Sequence, residues 1–170
     1  EVRALLARHE ETHWWFKARR KVIFKALEKA LPVHKTVKAL DAGCSTGANL
    51  ALLNRMGWAV AADIDHGNMK LCAAKGHKEL LCCDVRRLPC QSERFDLVIA
   101  LDLVEHLEDD VEALREIHRV LAPNGMAAVS APAFNWLWSS LDDAGHLRRY
   151  SSKSLRKSVE AAGFIVERIS

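Results

Sequence analysis

Leu40-Asp41-Ala42-Gly43-Cys44-Ser45-Thr46-Gly47 is the stretch that decides how this chain folds. Ahead of it, Val37-Lys38-Ala39 leads into Leu40 as a short apolar run. Behind it, Ala48-Asn49-Leu50-Ala51-Leu52-Leu53 carries its apolar residues at helical spacing. The pattern predicts a strand, a tight turn of small residues and a helix N-terminus, where bare backbone can meet a ligand. A second apolar run closes at Asp63, twenty residues past Gly43. A glycine loop paired with such an acid is how nucleoside cofactors are held on βαβ units.

The same alternation continues outward from this stretch. Strands are predicted at 37–42, 58–63, 79–83, 95–101 and 126–131, and helices at 47–56, 67–75, 108–121 and 151–162. Phe95-Asp96-Leu97-Val98-Ile99-Ala100-Leu101 is almost wholly apolar after its start, as strands buried on both faces are. Residues 1–31 read as helix, with Val22, Ile23, Ala26, Leu27 and Leu31 on one side and Pro32 as the stop. Together these imply an α/β fold, a doubly wound and mostly parallel sheet with helices on both faces. One domain spans 1–170. It is expected to comprise an N-terminal helical segment (1–33), a cofactor-binding core (34–131), a loop rich in Trp, His and Arg (132–150) and a terminal helix and strand (151–170).

Composition excludes several classes. The net charge of +3, from 25 basic and 22 acidic residues, is too balanced to argue for nucleic acid. Lys17-Ala18-Arg19-Arg20-Lys21 lies in a helical pattern, and a solvated face is favoured over a phosphate patch. The five cysteines form no CxxC pair and show no metal-ligand spacing, so no metal site is expected; adjacent Cys82 and Cys83 read as small buried residues of a reducing compartment. No apolar run approaches the roughly 20 residues of a membrane helix, and the charged, helical start is unlike a signal peptide. The expected location is cytoplasmic. The oligomeric state is left open.

In doubly wound sheets ligands bind at the carboxyl ends of the strands. Asp41, Asp63 and Asp84 fall at successive strand ends, as do Asp102, Glu105 and His106. Taken singly, Asp41 reads as a helix N-cap, and Asp63 and Asp84 as turn residues. Their convergence points to a nucleoside cofactor. A nicotinamide cofactor needs glycines at 43, 45 and 48, where this chain has Gly43, Ser45 and Ala48, and the middle serine does not fit.

Residues 39–131 resemble a class I S-adenosylmethionine-dependent methyltransferase of a bacterial type 11, 12 or 23-like subgroup. Ala39 to Gly47 matches the first motif of that family, which normally has Gly where Ser45 stands. Ala62-Asp63-Ile64-Asp65 with Asn68-Met69 matches the second. Cys83-Asp84-Val85, Leu88-Pro89 and Phe95-Asp96-Leu97-Val98 follow in order, then Glu105-His106-Leu107 and Arg119 to Gly125. The resemblance implies S-adenosyl-L-methionine as cofactor and S-adenosyl-L-homocysteine as product. It implies that Gly43 and Gly47, with Cys44 between them, admit the methionine and ribose portions, and that Ser45 reaches the cofactor's carboxylate. Asp63 would accept both ribose hydroxyls, Asp84 the adenine amino group, and the Val85 amide would meet a ring nitrogen. Ile64 and Leu101 would sandwich the adenine, and Asp41 would sit by the ammonium group. If position 45 needs positive φ, serine costs about 1 kcal/mol there.

His106 is placed to take a proton from an acceptor, its ordinary pKa of about 6.5 suiting that task; packing or capping of helix 108–121 is the equal alternative. Glu105 reads as structural. On the acceptor side, His13-Trp14-Trp15-Phe16-Lys17-Ala18-Arg19-Arg20 and Phe134 to Tyr150 resemble segments that meet over the cofactor as a lid in that subgroup, some members of which accompany surface-glycan enzymes. Trp14, Trp15 and Trp136 would stack on flat or sugar rings, and His146 and Arg149 would hold a phosphate or carboxylate. The alternative has Trp136 and Trp138 as core plugs and the arginines paired with Asp142 and Asp143. The family's usual last two strands are represented only by 163–170, so a C-terminal strand is missing. The expected activity is methyl transfer, O-methylation favoured, to a small-molecule, glycan or lipid-linked acceptor. A non-catalytic S-adenosylmethionine-binding regulatory or partner protein is the alternative, and an RNA or protein methyltransferase a weaker third.

Overall fold

Five apolar runs between residues 37 and 130 become strands, and each strand feeds both faces of one sheet. The computed structural model describes residues 10, 12–31, 36–139, 142 and 145–169. Its strands are β1 (Val37–Ala42), β2 (Gly57–Asp63), β3 (Leu80–Cys82), β4 (Phe95–Leu101) and β5 (Leu121–Ser130), all parallel in the order β3-β2-β1-β4-β5. Helices are α1 (Trp14–Ala30), α2 (Leu50–Met56), α3 (His66–Ala74), α4 (Asp110–Val120) and α5 (Ser152–Ala161).

Two-residue alternation splits every central strand between two cores. Leu97 and Ile99 of β4 join Ala39 and Ala61 in one core, where Phe24 and Leu27 of α1, Leu50 and Leu53 of α2 and Met69 and Cys72 of α3 pack. Phe95, Val98 and Ala100 join Leu40 and Ala62 in the other, covered by Ala113, Ile117 and Val120 of α4. A smaller cluster of Val104, Leu114, Tyr150 and Ala162 seats α5 beside α4. The chain runs outward from β1 through β2 to β3, then returns to place β4 on the other side of β1. This reversal opens a crevice above β1 and β4 at their carboxyl ends.

The structure corrects several sequence readings. Helix α2 begins at Leu50 rather than 47, because Gly47 holds φ 80° and residues 47–49 are still turning. Strand β5 begins at Leu121, with residues 122–125 bulged between the pairs Phe95–Leu121 and Leu97–Met126. Residues 164–169 form no strand: Phe164 turns its ring edge onto His118, and Ile165 lies almost wholly in solvent. Cys82 is exposed and Cys83 half-buried, so the pair is not a core feature. Helix α1 starts at Trp14, capped by His13, whose Nδ1 accepts the Trp15 N–H. Residues 1–9 of the expected first helix lie outside the described residues, as do Pro32 and Asp143. Among the described residues no helix is long and apolar enough to cross a membrane.

Candidate active site

Small residues make the floor. From the end of β1 the backbone passes through positive φ at Gly43 (74°), Ser45 (49°) and Gly47 (80°). At Gly43 a Cβ would fall 2.7 Å from Leu103 Cδ1, and at Gly47 2.8 Å from Cys72 Sγ. At both positions the positive φ and the close neighbour disfavour a side chain. Ser45 does adopt the left-handed conformation, at a cost of about 1 kcal/mol. Its N–H offsets this by donating to Asp63 Oδ2 at 2.8 Å.

The crevice above this loop has a volume of about 560 Å³, within the range of small-ligand sites. Gly43, Cys44 and Ser45 line it, with Asp63, Ile64, Asp84, Val85, Leu101 and His106 around the rim. Eight of the ten residues expected at a cofactor therefore meet at one cavity, together with the expected catalytic histidine. Asp41 and Gly47 are not among its lining residues. Asp41 is buried behind the loop, where it accepts from Asn49 Nδ2 at 3.4 Å and leaves Oδ1 without a partner. Burial pushes its pKa up to about 7. It is no helix cap, since α2 has Asn49 at that position. Gly47 makes room for Cys72 instead of lining the crevice.

The acids are already engaged. Asp63 Oδ1 accepts the Asp65 N–H at 2.8 Å and Asn68 Nδ2 at 3.3 Å, in addition to the bond Oδ2 makes with Ser45. A carboxylate has about four acceptor sites, so one remains, not the two that bidentate ribose binding requires. Asp84 caps the turn Val85–Arg87 and pairs with Arg86 Nη2 at 2.6 Å, which holds its carboxyl below the usual range. The Ser45 hydroxyl donates to Glu10 Oε1 at 3.0 Å, and the Thr46 hydroxyl to Glu10 Oε2.

Phe16, Arg19 and Arg20, from the segment expected as a lid, form a wall of the crevice together with Glu10, though none of the four was expected as a site residue. The basic cluster divides: Lys17 and Lys21 face solvent, while Arg19 donates to Asp102 Oδ2 and Arg20 to the Glu10 carbonyl. The signal was available. Phe16, Arg19 and Arg20 stand at i, i+3 and i+4 and share one helix face. Asp102, at φ 53°, also accepts from Ser130 Oγ at 3.0 Å.

Past β4 the chain makes a tight turn over Val104–His106. Glu105 is fully buried, and neither carboxylate oxygen has a hydrogen-bond partner. Burial pushes its pKa up to about 7. His106 Nδ1 lies 3.0 Å from the Gly145 carbonyl, so that nitrogen carries the proton and Nε2 keeps a lone pair. Partial burial lowers the His106 pKa, with the Gly145 bond opposing it, and favours the neutral ring. Helix α4 is capped by Asp109 rather than His106.

The acceptor-side residues do not line the crevice. Trp14, Trp15 and Trp136 are 70%, 53% and 78% exposed, so they stand outside the core as well. Phe134 stacks on Trp136 at 5.9 Å. Arg149 and His146 converge on buried Asp142: Arg149 Nε and Nη2 at 2.7 Å and His146 Nδ1 at 2.8 Å. This matches the ion-pair alternative for Arg149. Arg148 instead reaches the Glu108 carbonyl and Asp110.

The family described as a methyltransferase domain matches residues 40–129. A ubiquinone biosynthesis O-methyltransferase of Bradyrhizobium diazoefficiens is 35% identical over 106 residues, covering 59% of this chain and 42% of that protein. A malonyl-[acyl-carrier protein] O-methyltransferase of Enterobacter lignolyticus is 28% identical over 137 residues, 75% of this chain and 54% of that one. The chain thus spans about half the length of these curated relatives. The crystal structure of a SAM dependent methyltransferase from Aquifex aeolicus superposes with a TM-score of 0.70 at 20% identity, over 86% of this chain and 81% of that one, and so shares the fold.

Proposed function

The chain belongs to the methyltransferase-domain family of class I S-adenosylmethionine-dependent enzymes, and we propose that it methylates an oxygen of a small-molecule, glycan or lipid-linked acceptor. The observation that carries this reading is the crevice itself. A bare loop, two rim carboxylates and an apolar flank of Ile64, Val85 and Leu101 share one cavity in the family's motif order. These residues fit an adenosyl group: Asp63 keeps one acceptor site for a ribose hydroxyl, Asp84 lines the same cavity, and Gly43 meets it with no side chain of its own. When bound, S-adenosylmethionine supplies a methyl on a positively charged sulfur and leaves as S-adenosylhomocysteine.

The protein's own work is alignment and proton handling. Leu101, Leu103 and Leu107 give the reacting side of the crevice an apolar lining, which keeps water from competing with the acceptor. An alcohol or phenol must lose its proton as the new O–C bond forms. His106 Nε2, neutral and with its Nδ1 fixed on Gly145, is the base placed to receive it. Oxygen acceptors are favoured because the relatives named above are O-methyltransferases.

Calorimetry with S-adenosylmethionine and S-adenosylhomocysteine tests the cofactor. A labelled-methyl screen over phenols, carboxylic acids and glycolipid pools then tests the acceptor. Tight binding of both cofactor forms with transfer only to hydroxyl or carboxyl acceptors is expected. No binding of either would overturn the reading, and binding without transfer to any pool would make the chain a cofactor-binding partner protein.

A further inference from the structure

Glu105 is the least explained group in the fold. It is a carboxylate with no exposure, and both of its oxygens lack a hydrogen-bond partner. Burying such a group unpaired costs several kcal/mol unless a cation meets it. Arg19, the cation beside it, gives Nη1 to Asp102, and its buried Nε, also without a partner, makes no hydrogen bond to either Glu105 oxygen. Two imidazoles stand on the other side. His106 and His146 face each other edge to face, 4.7 Å between ring centres. One ligand atom from each of Glu105, His106 and His146 lies within 4.8 Å of the others.

The two histidines are tied in the manner of metal ligands. His146 Nδ1 donates to Asp142 at 2.8 Å, and His106 Nδ1 to the Gly145 carbonyl at 3.0 Å. A carboxylate and a backbone carbonyl are the two partners that most often orient a metal-binding imidazole. With Nδ1 as the donor, the neutral tautomer of each ring presents Nε2 as its ligand atom. Asp142 is itself fixed by Arg149 and Ser139, so the His146 ring is held from behind. Two imidazoles and one carboxylate are the ligand set of catalytic zinc sites, which leave a fourth position open.

We propose that Glu105, His106 and His146 form a binding site for one borderline divalent ion of the zinc class, with its open position toward the crevice. Tetrahedral ligands at zinc distances stand about 3.4 Å apart, so the cluster closes by up to about 1.4 Å on binding. The exposed side of His106 gives the ion its path in. This inference rests on the methyl-transfer reading and deepens it. With the ion bound, the His106 lone pair would be committed to the metal, and the ion would replace His106 as the group that activates the acceptor: it would hold the acceptor oxygen at its open position and lower that oxygen's pKa so that the proton leaves to bulk water. No spacing in the sequence announces the site, because His146 stands forty residues beyond His106.

Chelator-stripped full-length protein is titrated with Zn2+ by calorimetry, with bound metal counted by elemental analysis. One ion per chain is expected, with Mg2+ weaker by about a hundredfold or more, since imidazole suits zinc and not a hard cation. Co2+ as a spectroscopic probe should give the bands of a four-coordinate nitrogen and oxygen site without thiolate charge transfer, which separates this site from exposed Cys82. Glu105→Gln keeps the side chain's shape and every cysteine. It should bind Zn2+ about a hundredfold more weakly or worse, while retaining its fold and its affinity for S-adenosylhomocysteine. His146→Gln should do the same. Unchanged Zn2+ affinity in Glu105→Gln, or a thiolate signature in the cobalt spectrum, overturns the proposal. Loss of S-adenosylhomocysteine binding in the parent protein would strike the methyl-transfer reading instead, and leaves the zinc titration to be judged by itself.

Discussion

Asp63→Asn is the substitution that most directly tests the cofactor geometry. The parent carboxylate accepts from Ser45, Asp65 and Asn68, which leaves one lone pair on Oδ2 for a ribose hydroxyl. A hydrogen bond to a charged acceptor contributes about 1.5–3 kcal/mol. At about 1.4 kcal/mol per tenfold, its loss weakens binding by about ten- to a hundredfold. The amide also turns a donor toward either the Ser45 or the Asp65 N–H, so the loop loses an acceptor and the melting temperature falls. Affinity and stability must therefore be read separately. Calorimetry with adenosine and 2′,3′-dideoxyadenosine on both proteins closes a double-mutant cycle. The parent should discriminate between the two ligands by about tenfold or more, and the variant should not. If the variant discriminates as well as the parent, the ribose does not meet Asp63, and the assignment fails whatever happens to the melting temperature.

Other substitutions probe the rest of the site. The folded pKa of Asp41, about 7, lies above its ordinary 3.8, so between those values the folded chain holds a proton that the unfolded chain has released. Its stabilising share is present below about pH 4 and lost as the pH climbs through 7, so denaturation at stepped pH should show Asp41→Asn gaining on the parent by up to about 4 kcal/mol across that window. Gly47→Ala combines a positive φ of 80° with a 2.8 Å approach to Cys72 Sγ, and chemical denaturation should show a loss of about 1–3 kcal/mol. His106→Ala should lower turnover while calorimetry shows S-adenosylhomocysteine affinity nearly intact; normal turnover would return the residue to a packing role. Trp136→Ala, at a residue 78% exposed, should change stability by less than about 0.5 kcal/mol, and a raised KM for the acceptor with unchanged cofactor affinity would mark it as a contact of the acceptor.

What the chain's sequence discloses depends on the range of the interaction that decides each feature. Strands and turns are decided locally: an apolar run, a small-residue turn and an acid at a strand end are all read within ten residues, and parallel topology then gathers the ends of those strands by necessity. For that reason Asp63, Asp84, Val85 and Leu101 fall at one crevice as their positions imply. Contacts between distant segments are decided by how helices settle on the sheet, and no local pattern encodes them. Arg19 meets Asp102 across 83 positions, and His106 Nδ1 meets the Gly145 carbonyl across 39. The tryptophans show the limit most plainly. Their size suggests either a core plug or a stacking platform, yet burial is a property of the neighbourhood, and the described residues leave Trp14, Trp15 and Trp136 each more than half exposed. Chemistry has a similar limit. An aspartate at a strand end announces an acceptor, but how many of its lone pairs remain for a ligand is set by the backbone amides the fold turns toward it. At Asp63 that count is one, and it is the count, not the residue type, that fixes how a ribose can sit there.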